Sequence, residues 1–391
     1  MSIMIQKRRL HLLQFAVWLF AALPILLSAN SRITNDKALL LEPYPITLNA
    51  KSWVLMDYDT GDIIAEKNMN QRHAPASLSK IMTLYIAASE IQQGMIKPKQ
   101  MIIVSDQAAA TGGSKMFIRS GQKVSVQNLM KGIAIQSGND ASIALAEYIA
   151  GSDSNFAQLM NQSANAIDMN NSHFMNASGL PADDQYTTAK DMAILSRHFI
   201  QRFPQVYALF REPEFSWAGI TQQNRNSLIK EYPGADGIKT GYTDKAGYNL
   251  VSSVILGNRR FIAVVMGAPS ARIREQDSMR LLNYGFGKFE NITLYRQDSL
   301  ISLPSDNIND APKDQMLKLY GKETLIKTLP KSYQGHLTQK VVTLPGLKAP
   351  IFKNQQVGNL IFVVNDKEIA RLPLYAQNSL DKIGFFEKWF S

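Results

Sequence analysis

The sequence predicts an α+β fold: an antiparallel sheet with helices and a helical lobe, then a small all-β domain and a C-terminal amphipathic helix. Three observations lead to this prediction. Strand-like runs open and close a largely helical region, short strand-like runs follow it, and the tail has helical periodicity. With 391 residues, 45% of them hydrophobic, the chain is long enough for two or three domains. We place the domains at 34–288 and 289–376, with the tail helix at 379–391.

The N-terminus has the features of a secretory signal peptide. A basic stretch at 7–9 precedes a largely apolar stretch at 10–27, and the small residues Ser28, Ala29 and Ser31 follow. We predict a signal peptide over 1–31, with cleavage after Ser31 or after Ala29. An uncleaved membrane anchor is the alternative. Both interpretations predict export, and an exported chain without cysteine fits a bacterial envelope, on the periplasmic face of the inner membrane.

The composition excludes several classes of function. Lysine and arginine exceed aspartate and glutamate by 42 − 32 = 10, which suits an anionic partner. No dense basic run is interleaved with aromatic residues, so nucleic acid is not expected as a partner. Without cysteine, and with five unclustered histidines, the sequence predicts no metal site and no cofactor.

The large domain begins with two strands and a buried helix. Ser52–Asp57 and 62–66 read as strands, and Asp59-Thr60-Gly61 supplies the turn between them. Apolar residues then recur at helical spacing from Leu78 to about Gln92. Further elements are predicted as a strand at 102–104, a loop at 111–114, helices at 126–135, from 139, at 156–167 and at 189–201, a loop at 176–184, strands at 248–256 and 260–266 joined by Gly257-Asn258, and a helix at 278–286.

A serine and a lysine lie one helical turn apart at the start of the first helix. Ser77 falls in its first turn and Lys80 follows three residues later, so the two side chains share a face. In a dry pocket at the positive end of a helix dipole, the lysine would lose its proton readily. The pair is then a nucleophile with its own general base. The alternative is a helix start followed by a solvated lysine.

Two further motifs place polar residues at interruptions of apolar structure. Gly138 breaks a helical run, leaving Ser137 and Asn139 in a tight turn between two apolar helices. Such side chains either cap helices or line a cleft. Lys239-Thr240-Gly241 lies where helices give way to strands, so we expect it on or beside an edge of the antiparallel sheet.

After about residue 290 the chain reads as a small β domain with an amphipathic tail. Strand-like runs recur at 300–303, 339–344, 356–364 and 368–372, and no catalytic constellation is found among them. In the tail, Leu380, Ile383, Phe386, Trp389 and Phe390 share one helical face. This helix is too short to span a bilayer but suited to lying in its interface. The alternative is a helix docked on the protein itself.

The three motifs together form a known signature. Ser77-x-x-Lys80, Ser137-Gly138-Asn139 and Lys239-Thr240-Gly241 occur in that order in an exported chain. The chain therefore resembles a low-molecular-mass penicillin-binding protein of the serine-type D-Ala-D-Ala carboxypeptidase family, over nearly its whole length. The resemblance implies a serine β-lactamase/transpeptidase-like domain, peptidoglycan stem peptides as substrates and β-lactam antibiotics as covalent inhibitors. The membrane surface would be a further partner, through the tail helix.

The resemblance also implies roles for residues. Ser77, Lys80 and Ser137 would be catalytic, as nucleophile, general base and proton relay to the leaving group. The substrate-binding residues would be Asn139, Lys239, Thr240, Gly241, Tyr242, Arg225 and Arg274. Among these, Lys239 and Thr240 would bind the terminal carboxylate, Gly241 would let the substrate backbone approach, and backbone N–H groups of Ser77 and Tyr242 would form an oxyanion hole. Tyr242 departs from the histidine found in many relatives.

Three alternatives share this fold. A D,D-endopeptidase would cut crosslinked peptides, and the sequence does not separate it from a carboxypeptidase. A class A β-lactamase would need a glutamate for deacylation, yet no glutamate occurs between Glu147 and Glu212. A non-catalytic wall-binding protein is disfavoured because all three motifs are intact.

Overall fold

The structure, a computed structural model, describes residues 43–297 and 299–384. Contacts divide the chain into two compact units, one spanning Ile46–Phe289 and the other including the residues from Glu290 onward. The predicted signal peptide and the last part of the predicted tail helix, 385–391, lie outside the described residues.

The first unit is built on a five-stranded antiparallel sheet. The strands of this unit, in chain order, are β1 (Ser52–Asp57), β2 (Ile63–Lys67), β3 (Met101–Ile103), β4 (Lys123–Ser125), β5 (Glu214–Trp217), β6 (Ile220–Gln223), β7 (Ala235–Thr243), β8 (Gly247–Leu256) and β9 (Arg259–Ala268). The main sheet has the order β2-β1-β9-β8-β7, while β3-β4 and β5-β6 form separate pairs. β7 therefore lies at an edge, which confirms the prediction for the strand that carries Lys239.

Helices provide the rest of the first unit. They are α1 (Ser79–Gln92), α2 (Asp106–Ala110), α3 (Val126–Gln136), α4 (Asn139–Ala150), α5 (Asp153–Ala166), α6 (Ala189–Arg202), α7 (Pro204–Tyr207), α8 (Leu228–Glu231) and α9 (Ala271–Lys288). Every residue of α1 from Ser79 to Ala88 is buried, so this helix is central to the core. A helix buried on all sides holds its side chains in fixed positions, which suits it to carry Lys80.

Two of the differences from the predictions in the first unit have a clear local reason. α9 begins at Ala271, not at 278, because Ser270 caps it by accepting a hydrogen bond from the Ile273 N–H. Its first turns carry Arg272, Arg274 and Glu275, which obscure the apolar periodicity. The hairpin of β5 and β6 was not predicted, since both strands are short and mostly exposed.

The second unit is all β, as predicted. Its strands are β10 (Phe289–Tyr295), β11 (Leu300–Pro304), β12 (Met316–Tyr320), β13 (Leu325–Pro330), β14 (Thr338–Thr343), β15 (Gln356–Val364) and β16 (Lys367–Ala376). Five of them form a sheet in the order β11-β12-β16-β15-β14, and β10 pairs with β13. β10, β12 and β13 were missed in the sequence.

The predicted tail helix does not begin at Ser379. Residues 379–384 are not helical, and Leu380 forms a β-bridge with Ile351 through backbone hydrogen bonds of 2.8 and 2.9 Å. Leu380 is 3% exposed and belongs to the core of the β unit. Pairing with Ile351 satisfies its backbone and buries its side chain, and this outweighs the helical periodicity. Among the described residues, no helix combines the length and apolar character needed to cross a bilayer.

Candidate active site

Ser77 lies in a single 3-10 turn, Ala76–Leu78, that leads directly into α1. Ser77 is partly exposed, whereas Lys80 is completely buried in the first turn of α1. The Lys80 Nζ lies 2.9 Å from the Ser77 Oγ. The predicted contact across one turn is therefore present, with the serine at a reachable surface and the amine beneath it.

Two hydrogen-bond acceptors besides Ser77 surround the Lys80 amine, and they determine which side of the amine faces the serine. Nζ donates to Asn139 Oδ1 at 2.7 Å and to the Ser178 carbonyl oxygen. A neutral amine has two N–H donors and one lone pair, so two such acceptors orient the lone pair toward Ser77 Oγ. This is the geometry required of a base that removes the hydroxyl proton.

Burial favours the neutral form of this amine. It lowers the pKa of Lys80 well below its usual range, and the positive charge of Lys239 lowers it further. The carboxylate of Asp140 acts in the opposite direction and raises the pKa. The net effect lowers the pKa and so favours the neutral amine that a general base requires.

The turn between α3 and α4 positions Asn139. Ser137 ends α3 in the left-handed region, with φ of 64°, and is 5% exposed. Asn139 begins α4; its Nδ2 donates to the Gly112 carbonyl at 2.7 Å, and its backbone N–H donates to the Ser114 carbonyl at 2.7 Å. The Gly112 bond fixes the orientation of the side-chain amide, so Oδ1 faces Lys80.

Asp140 is a buried residue of this turn that the sequence reasoning missed. Its carboxylate accepts hydrogen bonds from the backbone N–H groups of Met116 at 3.0 Å, Ile118 at 3.2 Å and Ala141 at 2.9 Å. It thereby ties the loop that precedes β4 to the start of α4. Its position directly after Ser-Gly-Asn, in a first helical turn, was the available signal.

The loop that contains Ser178 and Gly179 was predicted as a loop, but its contribution to the site was missed. A Cβ built on Gly179, where φ is +78°, would lie 1.8 Å from the Ala76 carbonyl oxygen. Asn176 Oδ1 accepts from the Gly179 N–H at 2.7 Å and from the Ser178 hydroxyl at 3.0 Å. Only glycine fits this approach, which sets the Ser178 carbonyl over Lys80. No sequence signal connects this loop with the turn at Ala76, about a hundred residues earlier in the chain.

β7 brings the third motif beside the nucleophile. A Cβ on Gly241 would lie 3.1 Å from the Pro75 carbonyl oxygen and 3.3 Å from Leu78 Cγ. Gly241 thus lets β7 pack against the turn that carries Ser77. The expectation that the substrate backbone approaches the edge of β7 at Gly241 stays a prediction.

Lys239 is buried among other cations. It is 2% exposed, and its Nζ donates to the Thr240 carbonyl at 3.1 Å. Burial, with the positive charges of Arg225 and Arg274, lowers the pKa of Lys239 to about 7. Three cationic side chains around one edge of the strand favour an anion.

The remaining predicted residues differ in exposure. Thr240 is 8% exposed and Arg274 6%, and the Arg274 guanidinium pairs with Glu275 at 3.0 Å. Arg225 is exposed, although its charge acts on Lys239. Tyr242 is half exposed; its ring packs on Tyr248 at 4.4 Å between centroids, and its hydroxyl donates to Asp244 Oδ1 at 2.7 Å. Hydrogen bonding to this carboxylate raises the pKa of Tyr242 to about 12.

A cavity of about 320 Å³ adjoins the site. Ala76, next to the nucleophile, and Thr243, beyond Tyr242 on β7, are among its walls. The other lining residues are Ala74, Gly179, Pro181, Ala182, Asp183, Gln185 and Lys245. Within 43–297 and 299–384, no three His, Cys, Asp or Glu side chains are grouped to hold a metal ion.

Comparisons with known proteins identify the family of this chain. Residues 40–270 match the family model described as D-alanyl-D-alanine carboxypeptidase, peptidase S11, and residues 289–382 match that of the penicillin-binding protein 5 C-terminal domain. The chain is 37% identical to D-alanyl-D-alanine carboxypeptidase DacD of Salmonella typhimurium, over 98% of both chains. It is similar to the crystal structure of DacD from Francisella tularensis, with a TM-score of 0.84, 42% identity and coverage of 88% of this chain and 96% of that one. Penicillin-binding protein D2 from Listeria monocytogenes in its ampicillin-bound form is 27% identical, with a TM-score of 0.58, covering 62% of this chain and 100% of that chain. The chain therefore belongs to the D-alanyl-D-alanine carboxypeptidase family, peptidase S11, and has the serine carboxypeptidase activity of that family.

Proposed function

We propose that Ser77 attacks the carbonyl of the penultimate D-alanine of a peptidoglycan stem pentapeptide, with Lys80 as general base. The observation that carries this assignment is the Lys80 Nζ, 2.9 Å from Ser77 Oγ, with Asn139 Oδ1 and the Ser178 carbonyl occupying its two N–H donors. The proton passes from Oγ to Nζ as the C–O bond forms. Collapse of the tetrahedral intermediate breaks the C–N bond, releases D-alanine and leaves an acyl-enzyme that water then hydrolyses.

The other motif residues serve binding and proton transfer in this proposal. Lys239 and Thr240 bind the terminal carboxylate, and Arg225 and Arg274 reinforce the positive field there. Ser137 relays a proton to the leaving nitrogen. Support comes from the burial of Lys239, Thr240 and Arg274 around one edge of β7 and of Ser137 in the turn before α4. The backbone N–H groups of Ser77 and Tyr242 are assigned to the oxyanion hole, and Asn139 to substrate amide binding. Every residue in this assignment precedes 288, so we assign catalysis to the predicted domain 34–288.

The test is D-alanine release from a peptide that ends in D-Ala-D-Ala. Ser77→Ala is expected to lower kcat by about 10³-fold or more, because no acyl-enzyme forms. Ser79→Ala is the matched control, since Ser79 is buried next to Lys80 and its hydroxyl has no hydrogen-bond partner among the described residues. Equal rates for wild type and Ser77→Ala would exclude the assignment. Product analysis on a crosslinked dimer separates carboxypeptidase from endopeptidase action.

β-Lactams are proposed to acylate Ser77 and to leave slowly. The Listeria relative was solved with ampicillin bound. This chain has no glutamate between Glu147 and Glu212 to activate a deacylating water, and the Asp140 carboxylate is engaged by three backbone N–H groups. Mass spectrometry should show a long-lived penicilloyl adduct on Ser77. Rapid turnover of penicillin would instead indicate a β-lactamase.

Export and peripheral attachment to the periplasmic face of the inner membrane complete the proposal. The signal-like sequence at 1–31 and the aromatic residues within 385–391 support it. Since Leu380 is a core residue, the truncation that tests attachment must start at 385. The truncated, signal-processed protein should move to the soluble fraction and still release D-alanine. Its continued association with membranes would refute attachment through the tail.

A further inference from the structure

The loop that carries Ser178 is held at Ala177, the residue before it, by two side chains from different helices. The Ala177 N–H donates to Asp153 Oδ1 at 2.8 Å, and the Ala177 carbonyl accepts from the Thr83 hydroxyl at 2.7 Å. Ala177 is completely buried, so its backbone groups need partners within the protein. The two side chains supply them, and they fix the backbone immediately before Ser178.

Thr83 connects this loop to the helix that carries the base. It follows Lys80 by three residues on α1, so the two side chains share a face of the helix. That face contacts two successive carbonyls of the loop, because Thr83 donates to the Ala177 carbonyl and Lys80 donates to the next one, that of Ser178.

The Thr83 hydroxyl bonds the loop in preference to its own helix. A hydroxyl has one proton to donate. The distance from Thr83 Oγ1 to the Ala177 carbonyl is 2.7 Å, whereas that to the Ser79 carbonyl of α1 is 3.5 Å. Thr83 is completely buried, so without its hydroxyl the Ala177 carbonyl would lose this donor in a dry environment.

Asp153 holds the same residue from α5. It is the first residue of that helix, but Ser152 provides the cap by accepting a hydrogen bond from the Asn155 N–H at 3.1 Å. The half-buried Asp153 carboxylate therefore contacts the loop and not the end of its own helix. Through Thr83 and Asp153, both α1 and α5 determine where the loop lies.

We infer that Thr83 and Asp153 are positioning residues for the reaction, which act by fixing the Ser178 carbonyl against the Lys80 amine. The inference rests on the proposed function, because it requires Lys80 to be the base. If the carbonyl moved, the amine could turn about its last bond, and its lone pair would no longer be directed at Ser77 Oγ. A misplacement of about 1 Å in a reacting group can lower a rate about 10²-fold.

The experiment measures acylation of Ser77 by penicillin in a single turnover, followed by mass spectrometry. Thr83→Val keeps the shape of the side chain without its hydroxyl, and Asp153→Ala removes the acceptor. Each should acylate about 10- to 100-fold more slowly than wild type and reach the same final amount of adduct. Thr83→Ser keeps a hydroxyl and Asp153→Asn keeps an oxygen acceptor, so both should acylate at close to the wild-type rate.

The pH dependence of acylation separates positioning from a loss of stability. A protonated amine gains more from a carbonyl acceptor than a neutral amine does, so a displaced Ser178 carbonyl lowers the pKa of Lys80 further. The limb on which the rate rises as Lys80 loses its proton should therefore move to lower pH in Thr83→Val and in Asp153→Ala. Lys239 and Asp140, whose charges act on Lys80, are unchanged in these variants. A variant that is only less stable would keep this limb at the wild-type pH.

Two controls complete the comparison. Asp153→Asn removes the same charge as Asp153→Ala but keeps the acceptor, so its limb should stay in place. Ser196→Ala removes a buried hydroxyl that donates to the Met192 carbonyl of its own helix, and it should change neither the rate nor the limb.

The outcomes distinguish the inference from the proposed function. If Ser77→Ala is acylated as readily as wild type, the proposed function fails. If acylation requires Ser77, but Thr83→Val and Asp153→Ala react at the wild-type rate or react slowly with an unmoved limb, the two residues do not position Lys80 and the inference is overturned.

Discussion

Replacing Lys80 by methionine tests the centre of the proposed mechanism. Methionine resembles lysine in length but has no lone pair that can take the Ser77 proton. Loss of a positioned general base lowers rates about 10²- to 10⁴-fold, equivalent to about 3–5 kcal/mol of transition-state stabilisation. Since Lys80 also donates to Asn139 Oδ1 and to the Ser178 carbonyl, we place the loss at the upper end of this range.

The same substitution has a separate effect on folding. Two buried acceptors lose their donor, at about 1–3 kcal/mol each, while removal of a buried amine relieves its own desolvation. These effects oppose each other, so the expected change in stability is smaller than the change in activity. Thermal unfolding followed by circular dichroism measures it independently of the rate.

The assay is D-alanine release from N-acetyl-L-Lys-D-Ala-D-Ala, measured as kcat/KM. Lys80→Arg keeps a cation and N–H donors but stays protonated, so it should be as inactive as Lys80→Met. Lys99→Met, at an exposed position, is the control. A folded Lys80→Met protein that keeps more than about a tenth of the wild-type kcat/KM would refute the role of Lys80 as base.

Three other predictions follow from the structure. Because burial lowers the pKa of Lys239 to about 7 and a carboxylate requires its protonated form, kcat/KM should fall as pH rises through about 7. Lys239→Arg should flatten this limb, and Arg225→Gln should move it to higher pH by removing a like charge; an unchanged profile in both variants would contradict the carboxylate assignment. Gly179→Ala should lower both Tm and D-alanine release, whereas Gly219→Ala, at a φ of +80° with open space around it, should cost only about 1–2 kcal/mol of backbone strain. Equal Tm shifts in the two would show that the close approach does not matter. Leu380→Ala should destabilise the β unit by about 2–5 kcal/mol, measured by denaturant unfolding, and a smaller loss would mean that its buried contacts are dispensable.

The helices and strands of the first unit were largely predictable from local periodicity. β1 was predicted with the bounds observed, and α3, α6 and β9 within two residues at each end, because their apolar patterns are strong. The predicted tail helix, by contrast, had good helical periodicity but is not helical over 379–384. Leu380 pairs with Ile351 instead, and no local pattern reveals such a partner.

The sequence by itself determined the reactive groups. The spacing of Ser77 and Lys80 places the two side chains on one face, because neighbours one turn apart lie on the same side of a helix. The order of the three motifs similarly identified the family. Both are properties of short segments of sequence, so they can be recognised without knowing how those segments pack together.

Only the tertiary structure decided how the lysine works. Burial sets the pKa of Lys80, and the Ser178 carbonyl and Asn139 aim its amine. Gly179 and Gly241 make those approaches possible by leaving room for the turn that carries Ser77. Desolvation and hydrogen-bond direction depend on groups distant in the chain, so they arise only when the loop after α5, the turn before α4 and the edge of β7 are packed together.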